Sequence, residues 1–366
     1  MKIVVDNFET NQYNPNLNLN LNLNFMFIRR KMILINPKRI VFVLIAVFSL
    51  ISIPTNAADH EKILNNKGEI LSIVHVDYPQ FQPYKVRTES AKKAAEDYGI
   101  KYTMIQPSKV STEAYVDAIA NVINQGFDAI IVEPWDYDAF RPVLEQAKER
   151  GIPMVSVHQD YPDPSLFISM LYVNNAGYGV SAADELGRST GGKANVLLMM
   201  NNASIPNQAI MRQSFLDAIA KSWPGIKVVD TQFTNVDSMT ASKVLEAALK
   251  AYPEIDTAIW LEGATVTTGI DVVKEMGLIK KVKVIGIDDP PDVITSIGKG
   301  EAWGSFNQNF QKQGYEAVRH IVDHYRKKPF PKKTDVGIVL ITKDNWDNYL
   351  PDMWKTVAVK GKSYSN

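Results

Sequence analysis

The residues with chemistry to offer stand in short polar clusters, each following an apolar run: His75-Val76-Asp77-Tyr78, Glu133-Pro134-Trp135-Asp136, Val157-His158-Gln159-Asp160, Leu261-Glu262-Gly263 and Gly286-Ile287-Asp288-Asp289. Their mixture of carboxylates, amides and rings suits a small hydroxyl-rich molecule. Ionised Asp288 and Glu262 accept from hydroxyls, and such charge-assisted bonds are about twice as strong as neutral ones. Gln308, Gln159, Asn207 and Gln208 carry amides that both donate and accept. Phe81, Tyr84, Trp135 and Tyr161 offer flat rings to cover C–H faces, and His158 stands at a strand end. Each has a duller role open to it. Asp288 could shape the turn before Pro290-Pro291, Gln308 could be a structural hinge amide, and His158 could bond a neighbouring loop. Trp135 could pack beneath its loop, and Glu262 could serve a helix N-terminus.

None of the clusters makes a catalytic machine. There is no Gly-x-Ser-x-Gly elbow, no His-Glu-x-x-His pattern, and Gly177-x-Gly179 lacks the rest of a dinucleotide fingerprint. His320 and His324 lie four apart on one helix, where both are expected to face solvent. Trp260 ends an apolar run and is expected in the core. The reading is a binder, without catalytic residues, metal or cofactor.

The elements that must position these groups alternate. Strands are expected at residues 69–75, 128–132, 152–157, 194–200, 226–232, 257–261, 282–287, 302–306 and 336–341. Helices are expected at 84–98, 115–123, 138–150, 177–189, 207–222, 238–251, 265–276, 293–298 and 311–326. The helix periodicity is that of an inner apolar stripe: Val86, Ala91, Ala94 and Ala95 in the first, Tyr115, Ala118, Ile119, Val122 and Ile123 in the second. Repeated strand–helix units imply parallel sheets with right-handed crossovers. About ten such units would approach the limit of one open sheet, so two sheets of five or six strands are expected, with a cleft between their strand exits. Ligands of such sheets bind beyond the carboxyl ends of the strands.

Composition narrows the class further. The chain has 366 residues, 45% hydrophobic and 22% charged, with 40 basic and 40 acidic side chains. A balanced charge gives no field favouring nucleic acid or an anionic membrane. The absence of cysteine excludes disulfides and thiol chemistry. Residues 1–57 read as an extension plus a signal peptide, removed from the folded protein. A low-complexity alternation at 16–24, read as a disordered or mis-started extension, precedes Met32, which opens a better segment. Lys38-Arg39, the apolar run 40–53 and Thr55-Asn56-Ala57 then form a secretory leader cleaved after Ala57. A membrane anchor is the alternative, but the run falls short of the roughly 20 apolar residues a span needs.

Over residues 69–343 the chain resembles the periplasmic sugar-binding proteins of ABC transporters, of the ribose- and galactose-binding type. The segments carrying this are Ala-Lys-Lys-Ala-Ala-Glu-Asp-Tyr-Gly at 91–99, Gly-Phe-Asp-Ala-Ile-Ile-Val-Glu-Pro at 126–134 and Gly-Ile-Pro-Met-Val-Ser-Val at 151–157. Val-Asn-Asn-Ala-Gly-Tyr-Gly at 173–179, Val-Ile-Gly-Ile-Asp at 284–288 and Gln-Asn-Phe-Gln-Lys-Gln-Gly at 308–314 complete the set. The resemblance implies an α/β fold of two similar doubly wound parallel-sheet lobes joined by a three-segment hinge. The N-terminal lobe would comprise 69–173 and 309–335, the C-terminal lobe 174–308 and 336–366, with crossings near 173–175, 308–309 and 335–337. It implies ligand contact by Asp288 and Gln308, stacking by Phe81 and Tyr84, and polar contact from Asn207 and Gln208. Two departures stand out: His158-Gln159 replaces a common Asp-Arg pair, and Glu262-Gly263 replaces an Asn-bearing pair. Trp135, His158, Gln159 and Glu262 complete the expected site. The implied function is capture of a small sugar or polyol in the periplasm by a monomer that delivers it to an ABC permease. A sensor docking on a membrane receptor or kinase is the alternative.

Overall fold

A computed structural model describes residues 62–203 and 205–349; the expected leader at 1–57 lies outside them. Twelve strands among the described residues form two six-stranded sheets. The first contains β1 (Ser72–Val76), β2 (Lys101–Ile105), β3 (Ala129–Val132), β4 (Met154–His158), β5 (Ser169–Tyr172) and β11 (Lys333–Asp335), in the order β11-β5-β4-β3-β1-β2. The second contains β6 (Lys193–Met200), β7 (Gly225–Phe233), β8 (Thr257–Trp260), β9 (Lys283–Ile287), β10 (Gly304–Asn307) and β12 (Val339–Thr342), in the order β12-β10-β9-β8-β6-β7. The two orders are equivalent. Each reverses direction at its first strand, and a crevice opens at that switch point.

Nine α-helices among the described residues connect the strands: α1 (Gln82–Tyr98), α2 (Thr112–Ile123), α3 (Tyr137–Glu149), α4 (Asn175–Thr190), α5 (Pro206–Ser222), α6 (Ser238–Ala251), α7 (Val266–Glu275), α8 (Pro291–Lys299) and α9 (Phe310–Tyr325). The chain passes between sheets three times: from β5 into α4 and β6, from β10 into α9 and β11, and from β11 into β12.

The central strands read as continuous apolar runs because helices cover both their faces. Alternate residues feed separate cores. Val74, Val76, Ile130 and Val132 enter one core of the first sheet, while Ile73, Ala129 and Ile131 enter the other. The second sheet has the same two-sided arrangement.

Three features depart from the sequence expectation. β2 is an edge strand whose exposed and half-buried residues give no apolar run. β5 and β11 add to the other side of the first sheet. β12 pairs antiparallel with β10, so the second sheet is mixed at that edge.

Two glycines set helix spacing. A Cβ on Gly314 of α9 would collide with the Arg87 carbonyl of α1, and one on Gly179 of α4 would collide with the Met211 carbonyl of α5. Gly314→Val therefore forces α1 and α9 apart at Arg87. The expected loss is about 1–3 kcal/mol, the usual cost of overpacking, read from urea unfolding. An unchanged midpoint would show that the two helices separate freely.

Candidate ligand-binding cleft

The first wall is organised around a buried arginine. Arg87 sits on the inner face of α1, in line with Ala91 and Ala95, and is fully buried. Four of a guanidinium's five N–H donors are engaged. Nε and Nη2 donate to the two Asp77 oxygens at 2.9 and 2.8 Å. Nη2 also donates to Glu133 Oε2 at 2.6 Å, and Nη1 to Gln313 Oε1 at 3.2 Å. Its flat face lies 4.5 Å from the Tyr84 ring centre and 5.5 Å from that of Phe310. Burial alone would push the Asp77 carboxyl up. The Arg87 charge and the bonds from His75 and Arg87 outweigh that and hold it well below the usual carboxylate range.

β4 ends at His158, whose φ of 68° is left-handed. For a residue other than glycine this conformation costs on the order of 1–3 kcal/mol and marks a site the surroundings hold in place. The imidazole stacks on Phe310 with centroids 5.1 Å apart and an interplanar angle of 20°. Burial lowers its pKa, which favours the neutral ring. Gln159 Nε2 donates to the remaining Glu133 oxygen at 3.0 Å.

The second wall repeats the device. Asp288 follows β9 and also has φ of 68°. Its Oδ1 accepts from Gln308 Nε2 at 2.6 Å. Its Oδ2 lies over Gly263, where any Cβ would strike it, and among the described residues has no hydrogen-bond donor. Burial pushes the Asp288 carboxyl up to about 7; the Gln308 bond opposes this, and the charges of Asp289, Glu262 and Glu133 add to it. Burial likewise carries Asp289 to about 6 against its bond from Asn307. The Tyr84 hydroxyl feels charges from both walls, those of Glu133, Arg87 and Asp77 on one side and Asp288 on the other.

Of the expected residues, Tyr84, His158, Gln159, Asp288 and Gln308 are thereby brought to one charged, aromatic-lined cleft. Phe81 stands at its rim, 40% exposed, edge-on to Tyr78 and Tyr84. The other four are turned to their own elements. Trp135 packs on Tyr115 and Phe140, and its Nε1 donates to Thr112 Oγ1 at 3.2 Å. Glu262 Oε1 accepts from the Thr234 and Thr265 hydroxyls, and Oε2 from the Ala264 and Thr265 amides, so it holds the start of α7. Gln208 Oε1 accepts from the Asn201 amide at 2.8 Å, and Asn207 Oδ1 from that of Gln208.

Asp77, Arg87, Glu133 and Gln313 were absent from the expected site. The signal for Arg87 was its four-residue spacing to Ala91 and Ala95, which sets an arginine among alanines on a buried stripe. His320, expected at solvent, is instead buried, with Ser169 Oγ 2.8 Å from its Nδ1 and Phe330 stacked on it. Trp260 is fully buried, as expected.

The raised carboxyls set a pH dependence. A carboxyl whose folded pKa lies above its unfolded value, about 3.9 for aspartate, contributes stability that is complete below that value and lost as pH rises through the folded pKa. Asp77 has the opposite sign, but its loss falls below pH 4. Between pH 5 and 8 the buried His158 and His320, whose pKa values burial lowers, add stability as pH rises, whereas Asp288 contributes a downward slope on the order of 2 kcal/mol. Asp288→Asn should flatten much of that slope in urea unfolding at pH 5, 6.5 and 8. An equal slope in the variant would place the titration elsewhere.

Known proteins share this architecture. A galactofuranose-binding protein of Escherichia coli is 27% identical over 75% of this chain and 86% of its own length. A xylitol-binding protein of Mycolicibacterium smegmatis is 27% identical over 65% and 67%. A solute-binding protein of an ABC transporter from Burkholderia graminis, solved with D-arabinose, superposes with a TM-score of 0.70 at 26% identity, covering 77% of this chain and 98% of its own. A sugar-binding protein from Bacillus halodurans has a TM-score of 0.71 at 18% identity, a likeness of fold alone. Residues 83–329 match the profile of the periplasmic binding protein domain, and the chain belongs to that family.

Proposed function

We propose that the protein captures a small sugar or sugar-like polyol between its two lobes, closes around it and delivers it to an ABC permease. It binds its guest without transforming it. The observation that carries this reading is the Asp288–Gln308 pair, which presents a carboxylate and an amide at the hinge side of the cleft. Opposite them lies a rigid wall of Tyr84, Phe310 and His158 rings backed by the Arg87 network. A carboxylate and amides meet hydroxyls, and rings meet the C–H faces between them. The relatives that bind galactofuranose and xylitol, and the neighbour holding D-arabinose, support the ligand class.

Residues from both walls meet only when the lobes approach. A guest that touches both favours the closed form, and only such a difference in affinity shifts the equilibrium. The closed form is then what the permease would receive. We infer a periplasmic protein, exported by the leader at 1–57 and acting as a monomer.

A thermal-shift screen over pentoses, hexoses, furanosides and polyols tests the reading. A true ligand at one hundred times its Kd adds about 2.7 kcal/mol of stability, and Asp288→Ala should abolish the associated rise in Tm. Consumption of the sugar, or a full shift in the variant, would overturn it.

A further inference from the structure

We propose that Gln313, held by Arg87, is a positioning residue that fixes the tautomer of His158. The imidazole then carries its proton on Nε2, and the end of β4 offers the guest a hydrogen-bond donor. The guest is the sugar or polyol of the reading above, on which this last step rests.

The groups beneath His158 have no choice of role. Gln313 lies in the first turn of α9 and is fully buried. A guanidinium only donates, and a backbone carbonyl only accepts. Arg87 Nη1 lies 3.2 Å from one amide atom of Gln313, which must therefore be the oxygen. The Gln308 carbonyl lies 2.9 Å from the other, which must be the nitrogen. Two neighbours from different elements thus set the amide the same way round. The second N–H of that nitrogen is left for His158 Nδ1, at 3.4 Å. Since it can only donate, Nδ1 is the bare, accepting nitrogen, and the neutral ring is protonated at Nε2.

The ring is also held in place. It stacks on Phe310, and its backbone stands in the left-handed region. Turning the imidazole over would set a carbon against the Gln313 amide and leave a buried N–H without an acceptor, which is costly. Nε2 is on the side of the ring away from Gln313. Among the described residues it makes no hydrogen bond, yet it is not one of the sealed, unpartnered polar atoms. The small exposed part of His158, 6% of the residue, therefore includes this nitrogen. The carboxylates of the same wall are engaged by Arg87 and Gln159. The first wall thus meets the guest with an N–H, which a ring oxygen or a hydroxyl lone pair can accept.

The test is nuclear magnetic resonance of the 15N-labelled protein at pH 7.5, where its lowered pKa keeps the ring neutral. Two-bond proton–nitrogen correlations separate a bare imidazole nitrogen from a protonated one, and His158→Gln identifies the ring among the five histidines. His158 should show one tautomer, with the proton on Nε2. Gln313→Met removes the donor and should turn that signal into an exchanging mixture, while Gln313→Glu should place a proton on Nδ1. D-arabinose, D-galactose and xylitol are then titrated in. A sugar that raises Tm should move the Nε2 signal and leave Nδ1 bare, and Gln313→Met should weaken its binding about three- to tenfold, the worth of one neutral hydrogen bond. A wild-type ring protonated on Nδ1, or one already exchanging between tautomers, overturns the proposal and leaves the capture reading untouched. So does an unmoved Nε2 signal with a sugar that raises Tm. If no sugar raises Tm, the capture reading falls and takes the guest's donor with it.

Discussion

The cleft depends on one buried cation. Arg87 draws together the exit of β1 through Asp77, the exit of β3 through Glu133, and the first turn of α9 through Gln313. Removing a partner from such a buried group leaves an uncompensated charge, at a cost of about 3–5 kcal/mol. The arrangement is therefore close to all or none. It also extends beyond its own lobe. Gln313 Nε2 donates at 2.9 Å to the Gln308 carbonyl, and the Gln308 side chain holds Asp288. A chain of direct bonds thus runs from the first wall through the hinge to the second.

The two walls share a construction and differ in chemistry. Each places a non-glycine residue in the left-handed region where a central strand ends, His158 in one lobe and Asp288 in the other. The reversed backbone re-aims a side chain at the end of a buried strand. In the first lobe the turned residue is an imidazole whose pKa burial lowers, stacked on Phe310. In the second it is an acid with one oxygen uncommitted. The first wall thus spends most of its polar groups on internal bonds, while in the second the buried Gln308 Oε1 has no partner among the described residues.

Much of the fold was legible because burial on both faces leaves an unmistakable apolar run, as in Ala129–Val132. Edges were not legible. Lys101–Ile105 has one covered side and reads as mixed polarity, and the antiparallel pairing of β12 depends on a partner far away in sequence. At the cleft, strand-exit position alone pointed to His158 and Asp288. It could not separate an acid held by a single hinge amide from one spent on its own helix. Glu262 and Asp288 look alike as sequence, and only the hydroxyls of Thr234 and Thr265 distinguish them. Arg87 was overlooked because a helix stripe is read by its apolar members. Its charge becomes tolerable only through Asp77 and Glu133, which lie 10 and 46 residues away.

The hinge decides which of these groups can hold their geometry while the lobes move. Its three crossings are bonded side by side. The Val336 amide donates to the Tyr172 carbonyl at 3.0 Å, and Asn309 Nδ2 donates to the carbonyls of Val336 and Gly337 at 3.0 and 3.1 Å. Three strands tied in this way bend together, so closure is a rotation about one shared ribbon. Displacement in a rotation grows with distance from the axis. Gln308 belongs to the ribbon, and Asp288 is bonded to it, so this pair shifts least relative to either lobe. This acid–amide pair thus stands where geometry is preserved while the lobes turn.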